Sequence, residues 1–146
     1  MPDNIFEHVP ISKLYKEGFV TVATFLGGPL VAGYMIAENF KSLNERQKVG
    51  ITWIYTILAT IVIFGIALFM PGIEKVPTYL IPAIYGGIAG SLVRSLQGEK
   101  IKKHLVNGGE LYSIWRTLLI SVIGLIVTVA LFLLFGVVSD IGKLFN

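Results

Sequence analysis

Four long apolar stretches separated by short polar segments set the pattern of this chain: residues 18–37, 50–70, 76–93 and 111–138. Each is long enough to cross a ~30 Å hydrocarbon layer at ~1.5 Å of rise per residue, the third only just. The reading is all-α: an integral membrane four-helix bundle, with a polar tail or short interfacial helix at 1–17 and a polar tail at 139–146. In the first tail Ile11, Leu14 and Tyr15 have helical spacing and Ser12 can cap, so that segment is either an interfacial turn or a frayed end.

The first stretch, GFVTVATFLGGPLVAGYMIA, carries no charge but holds Gly27-Gly28-Pro29 near its middle. Lipid gives little reason to tolerate such a break, whereas a protein neighbour needing close backbone approach does. A polar loop is expected from Glu38 to Val49. The second helix ends at Pro71-Gly72, and Trp53 and Tyr55 near its start suit an interfacial anchor. Pro77 fits the first turn of the third helix and Pro82 is expected to kink it. RSLQGEKIKKHLVNGGE then reads as a basic loop, with Ile101 and Leu105 at helical spacing and Asn107-Gly108-Gly109 as a stop. Tyr112 and Trp115 form the belt of the fourth helix.

The stretches differ in strength. Thr117–Val138 holds sixteen Leu, Ile, Phe or Val residues, favouring insertion by about 5–10 kcal/mol before polar offsets. Gly50–Met70 holds eleven, or about 3–7 kcal/mol, while the first and third stretches hold eight and seven, diluted by glycine and proline. The second and fourth are expected to face lipid and the first and third to depend on packing. Gly27-Gly28 is echoed by Gly86-Gly87, and ALFMPG by LFLLFG, which fits two tandem hairpins of one orientation or the chance likeness of glycine-rich helices.

Composition agrees with a membrane setting: of 146 residues 54% are hydrophobic and 14% charged, against roughly 25% charged in soluble proteins, and the mean hydropathy is +0.75. There is no cysteine, which excludes disulfides and thiolate chemistry. Asp3 and Glu7 stand where a cleavable signal would be basic. With four alternating spans, Lys13, Lys16, Lys75 and Lys143 fall on one side, and the other eight basic residues fall on the other. The positive-inside rule then places both basic loops in the cytoplasm and both termini outside.

Candidate chemistry is sparse. No Asp, Glu, Lys, Arg or His lies within 18–37, 51–70, 76–93 or 117–138, which argues against proton relays, intramembrane proteolysis and histidine-ligated haem. His8 and His104 fall near opposite surfaces, no serine or threonine has a base in reach, and no metal, cofactor or catalytic set is expected. The glycine clusters Gly27, Gly28, Pro29 and Gly33, with Gly86, Gly87 and Gly90, read as helix-packing or pore-lining positions; Ala83, Gly87 and Ser91 extend a small-residue stripe. Arg94, Lys100, Lys102, Lys103 and Arg116 read as lipid-headgroup or partner contacts, or as plain positive-inside topology. One short basic loop is a poor nucleic-acid surface.

At TFLGGPLVAGYMIAENFKSL and SLQGEKIKKHLVNGGELYSIW the chain resembles, over most of its length, a loose group of small bacterial polytopic membrane proteins with a GGPL-x-AGY run in the first helix. The resemblance implies a bacterial inner-membrane setting and nothing about mechanism. Two functions are expected from the residues: a non-enzymatic membrane protein that assembles with itself or as an accessory subunit, or a small channel or solute-binding protein with a Gly/Thr-lined path.

Overall fold

The computed structural model describes residues 12–144. The order is β1 (Lys13–Leu14), α1 (Glu17–Gly27), α2 (Pro29–Ser42), α3 (Gln47–Phe69), a 3-10 turn (Ile73–Lys75), α4 (Leu80–Val106), β2 (Glu110–Leu111) and α5 (Ile114–Leu144). The protein is all-helical apart from one two-residue parallel pairing, with Lys13 opposite Glu110 and Leu14 opposite Leu111.

The expected first helix is two helices. Gly28 takes φ 91° and ψ 174°, a conformation open in practice to glycine alone, and Pro29 follows at the first position of α2, where its missing N–H costs nothing. The break reverses the chain. In one straight helix Tyr15 and Asn39 would lie ~36 Å apart. Instead Asn39 Oδ1 accepts the Tyr15 N–H at 2.7 Å, and Asn39 Nδ2 donates to the Tyr15 carbonyl at 2.9 Å. α1 and α2 are therefore an antiparallel hairpin with Gly28 at its tip, in place of a single span over 18–37.

Of the other boundaries, the ends of α2, α4 and α5 and the start of α3 move outward, whereas α4 starts at Leu80 and α5 at Ile114, which leaves Pro77 and Tyr112, expected in the first turns of the third and fourth helices, in the connections before them. α2 continues through Ser42, leaving only Leu43–Arg46 as connection, with Asn44 at φ 59°. α4 absorbs most of the expected basic loop and runs to Val106; Pro82 is its third residue, in the first turn, so no kink is required. Leu14 and Tyr15, expected in an interfacial helix or a frayed end, lie outside any helix and are fully buried, Leu14 in β1; Ile11 lies outside the described residues.

The hairpin also changes which segments share an end. Ser12 Oγ donates to the Ser42 carbonyl at 3.3 Å, and β1 pairs with β2. Residues 12–16, 43–46 and 107–113 thus gather at one end, and residues 70–79 lie at the other. The expectation that 12–17 lies beside 71–75 and the C-terminal tail is overturned: residues 12 and 144 stand at opposite ends. The two halves differ as well, because Glu17–Phe69 makes three helices and Leu80–Leu144 two, so tandem like-oriented hairpins do not describe the fold.

The core lies around the hairpin: Leu14, Tyr15, Val20, Ala23, Val31, Met35, Ile36 and Phe40 pack with Ala89, Val93 and Ile101 of α4. α1 packs on α4 and α5, and α2 packs on α3. Beyond the tip, Phe64 of α3 meets Phe132 of α5 edge to face at 5.3 Å. α3 and α5 are long and apolar enough to cross a membrane, yet only 11% and 6% of their apolar stretches are buried.

Candidate binding cleft

The hairpin is held by glycines set against hydroxyl side chains. A Cβ on Gly27 would stand 2.6 Å from the Ser121 carbonyl oxygen, and one on Gly28 would enter Thr128. Gly33 meets Thr56, Gly90 meets Thr21, and a Cβ on Gly86 would lie 3.1 Å from the Thr21 carbonyl oxygen. Three of these hydroxyls bond to their own helix: Thr21 to the Glu17 carbonyl at 3.1 Å, Thr56 to Thr52 at 2.8 Å and Ser121 to Thr117 at 2.8 Å. Satisfied at home, they let the opposing backbone come close. Thr128 instead donates across to the Gly27 carbonyl at 2.9 Å, capping a group that the break frees. Gly87 is the exception among the glycines singled out from the sequence: it is exposed, and a Cβ added there would meet nothing within 4 Å.

Of the basic residues singled out from the sequence, Arg94, Lys100, Lys102 and Arg116 meet partners within the chain. Arg94 forks onto Glu17, Nε at 3.0 Å and Nη2 at 2.6 Å, joining α4 to the start of α1. Arg116 donates Nε–H to the Tyr15 hydroxyl at 2.8 Å and lies over the Tyr112 ring at 4.1 Å. Burial pushes the Tyr15 phenol up to about 12 against the pull of that guanidinium. Lys48 and Lys100 both ion-pair with Glu45, which holds the Glu45 carboxyl below the usual range, Lys100 acting more strongly. Lys102 reaches Glu99 only at 4.0 Å, and Lys103 is exposed.

Two buried amides, Asn39 and Gln97, are central to the packing and escaped the sequence reading. Asn39 Nδ2 also donates to Gln97 Oε1 at 2.9 Å, and Gln97 Nε2 donates to the Ile36 carbonyl at 3.0 Å. The signal was present in the spacing: Gly86, Gly90, Val93, Gln97 and Ile101 fall at three- and four-residue intervals and are all buried, one stripe of α4 facing the hairpin.

Because α3 leans on α2 and α4 on α1, a cleft of about 810 Å³ remains between α3 and α4. Its floor is the hairpin, through Thr24, Pro29, Ala32, Gly33 and Ile36. Its walls run from Thr52 to Ile66 on α3 and from Ile81 to Leu96 on α4. No Asp, Glu, Lys, Arg or His lines it; the polar groups are threonines and the phenols of Tyr55 and Tyr85. Thr24 is 1% exposed, and its Oγ1 has no hydrogen-bond partner, whereas Thr52, Thr56 and Thr60 each bond to a carbonyl one turn back. Among the described residues no three His, Cys, Asp or Glu side chains gather as a metal site. The arrangement can enclose an apolar guest and offers no acid, base or nucleophile set to act on it.

What these features define is a class: an all-helical chain with two helices fit to cross a membrane and a lateral apolar cleft over a glycine-broken hairpin. Compared with known proteins, the chain matches no family model, no curated protein and no solved structure.

Proposed function

We propose that this chain is a non-enzymatic integral membrane protein of the bacterial inner membrane that binds an apolar molecule in the plane of the bilayer. The observation that carries the reading is the cleft: about 810 Å³, almost wholly apolar, within the ~300–1,000 Å³ typical of small-molecule sites. In this reading α3, α4 and α5 span the membrane and α1–α2 is a re-entrant hairpin. Outward-facing Ile51, Ile54, Leu58, Ile61 and Val62 make α3 apolar on several sides, which suits lipid and not water. Non-helical backbone at Gly28 is tolerated at depth because protein covers it. The end shared by residues 12–16, 43–46 and 107–113 carries Lys13, Lys16, Lys41, Arg46, Lys48, Arg94, Lys100, Lys102, Lys103 and Arg116, which favours the cytoplasm for that end.

Native mass spectrometry of the full chain from mild detergent tests this. The wild type should carry a co-purifying apolar molecule, and Ala59→Trp, which fills the cleft from an exposed α3 position, should lose it. A bare wild type, or an unchanged complement in the variant, would sink the proposal.

A second reading, assembly with itself or with another membrane subunit, has its own support. Ala83, Gly87 and Ser91 form an exposed small-residue stripe on α4, and a Cβ added at Gly87 would point into open space. Gly87→Leu should abolish crosslinked oligomers if that face assembles.

A further inference from the structure

We propose that the guest is an anionic phospholipid of the cytoplasmic leaflet, its acyl chains lying in the cleft and its phosphate on Lys48 and Lys100. This rests on the cleft reading above and adds the chemistry of the headgroup.

Length comes first. From Thr52 to Ile66 the α3 wall measures ~21 Å. Half of the ~30 Å hydrocarbon core is ~15 Å, so this charge-free wall is long enough to take the acyl chains of one leaflet along their whole length.

Charge then chooses the end. Lys48 lies one helical turn before Thr52, and Lys100 one turn after Leu96, so the two ammonium groups mark the basic mouth from opposite walls. Both are tied to the Glu45 carboxylate, and Lys48 Nζ also stands 5.3 Å over the ring of Phe40, a lining residue. Two cations share one carboxylate, leaving one net positive charge where a lipid seated in the cleft would put its phosphate. Each ammonium has three N–H donors, so both can hold Glu45 and still donate to phosphate oxygens. At the opposite mouth, where Ile66, Ile73 and Ile81 line the cleft, the adjacent charges are Glu74 and Lys75, which cancel. A partner helix does not explain the excess charge at a single mouth.

The test is lipid titration of the full-length protein in mild detergent, read by native mass spectrometry, with phosphatidylglycerol against phosphatidylcholine. Phosphatidylglycerol should bind one per chain and at least ~10-fold tighter, the preference shrinking as salt rises. Lys48→Gln/Lys100→Gln should bring phosphatidylglycerol down to the phosphatidylcholine level, while Lys100→Arg keeps the preference. Glu45→Gln should increase it, which keeps the proposal testable if the double variant fails to fold. Equal binding of both lipids to the wild type, with Ala59→Trp removing both, would overturn the headgroup assignment and leave the cleft reading standing. Binding of either lipid unchanged by Ala59→Trp, or a dimer that forms in place of the lipid complex, would overturn both.

Discussion

Asn39 does the work of a short strand. Its amide meets both backbone groups of Tyr15 and spends a second N–H on Gln97, so one side chain fixes the segment before α1 to the end of α2 and to α4. Asn39→Ala would strand the Tyr15 N–H and carbonyl in a buried place, and an unpaired buried group costs about 1–3 kcal/mol. The expected outcome is a large fall in thermal midpoint in detergent, together with faster proteolysis at residues 12–16. Thr24→Val should do the opposite or nothing, since its hydroxyl has no partner in the chain; a marked loss of stability would mean that the hydroxyl is bonded to something else. These residues were hidden in the sequence for a definite reason. Asn39 and Gln97 fall in segments whose polarity reads as loop, and nothing in a linear pattern says that two amides 58 positions apart will meet. The Lys13–Glu110 pair at 2.6 Å gives a pH expectation. Lys13 holds the Glu110 carboxyl below its ordinary range, so the pair helps to dock β1 at any pH above about 4.3 and stops helping as acid protonates the folded carboxylate. A fluorophore on a cysteine placed at Ser12 should report no change from pH 8 to pH 5 and loosening below about 4.3.

At the scale of elements, the break at Gly27-Gly28-Pro29 was legible and its consequence was not. Residue types say that a helix cannot continue unbent through a positive-φ glycine followed by proline; they do not say whether the chain resumes its course or turns back. Twenty uncharged residues match a bilayer span, and two half-length helices have the same hydropathy. The extension of α4 was missed because Lys100, Lys102 and Lys103 beside Ile101 and Leu105 describe an amphipathic helix as well as a basic loop. The glycines should separate cleanly under substitution. Gly28→Ala forces a side chain into a glycine-only conformation, at about 1–3 kcal/mol, and drives it against Thr128 as well. Gly87→Ala meets open space and gains up to about 1 kcal/mol of helix propensity. Thermal unfolding of the two variants should move in opposite directions.

For the whole molecule, the number of helices that turn back decides sidedness. Reading four alternating spans put both ends of the chain on one side, whereas a hairpin followed by three long helices puts residues 12 and 144 at opposite ends. With no native cysteine, single cysteines can map this directly. Those placed at Ser12, Asn44 and Asn107 should all label from the cytoplasmic face, and one at Glu74 from the other. A Ser12 cysteine that labels with Glu74 would refute the arrangement. The strongly apolar second and fourth stretches were readable from residue counts. The cleft was not, because it arises from the divergence of α3 and α4, a relation between helices that leaves no mark along either one.

The fold-back at Gly28 also bears on how the chain is made. In the membrane reading proposed above, a hairpin whose two feet stand on one side never has to be carried across, so α3, with Arg46 and Lys48 just before its apolar run, is the first of the described helices to be oriented. The tip rests on Ser121 and Thr128 of α5, which is made well after it. The hairpin therefore cannot take its final seat until α5 has been made.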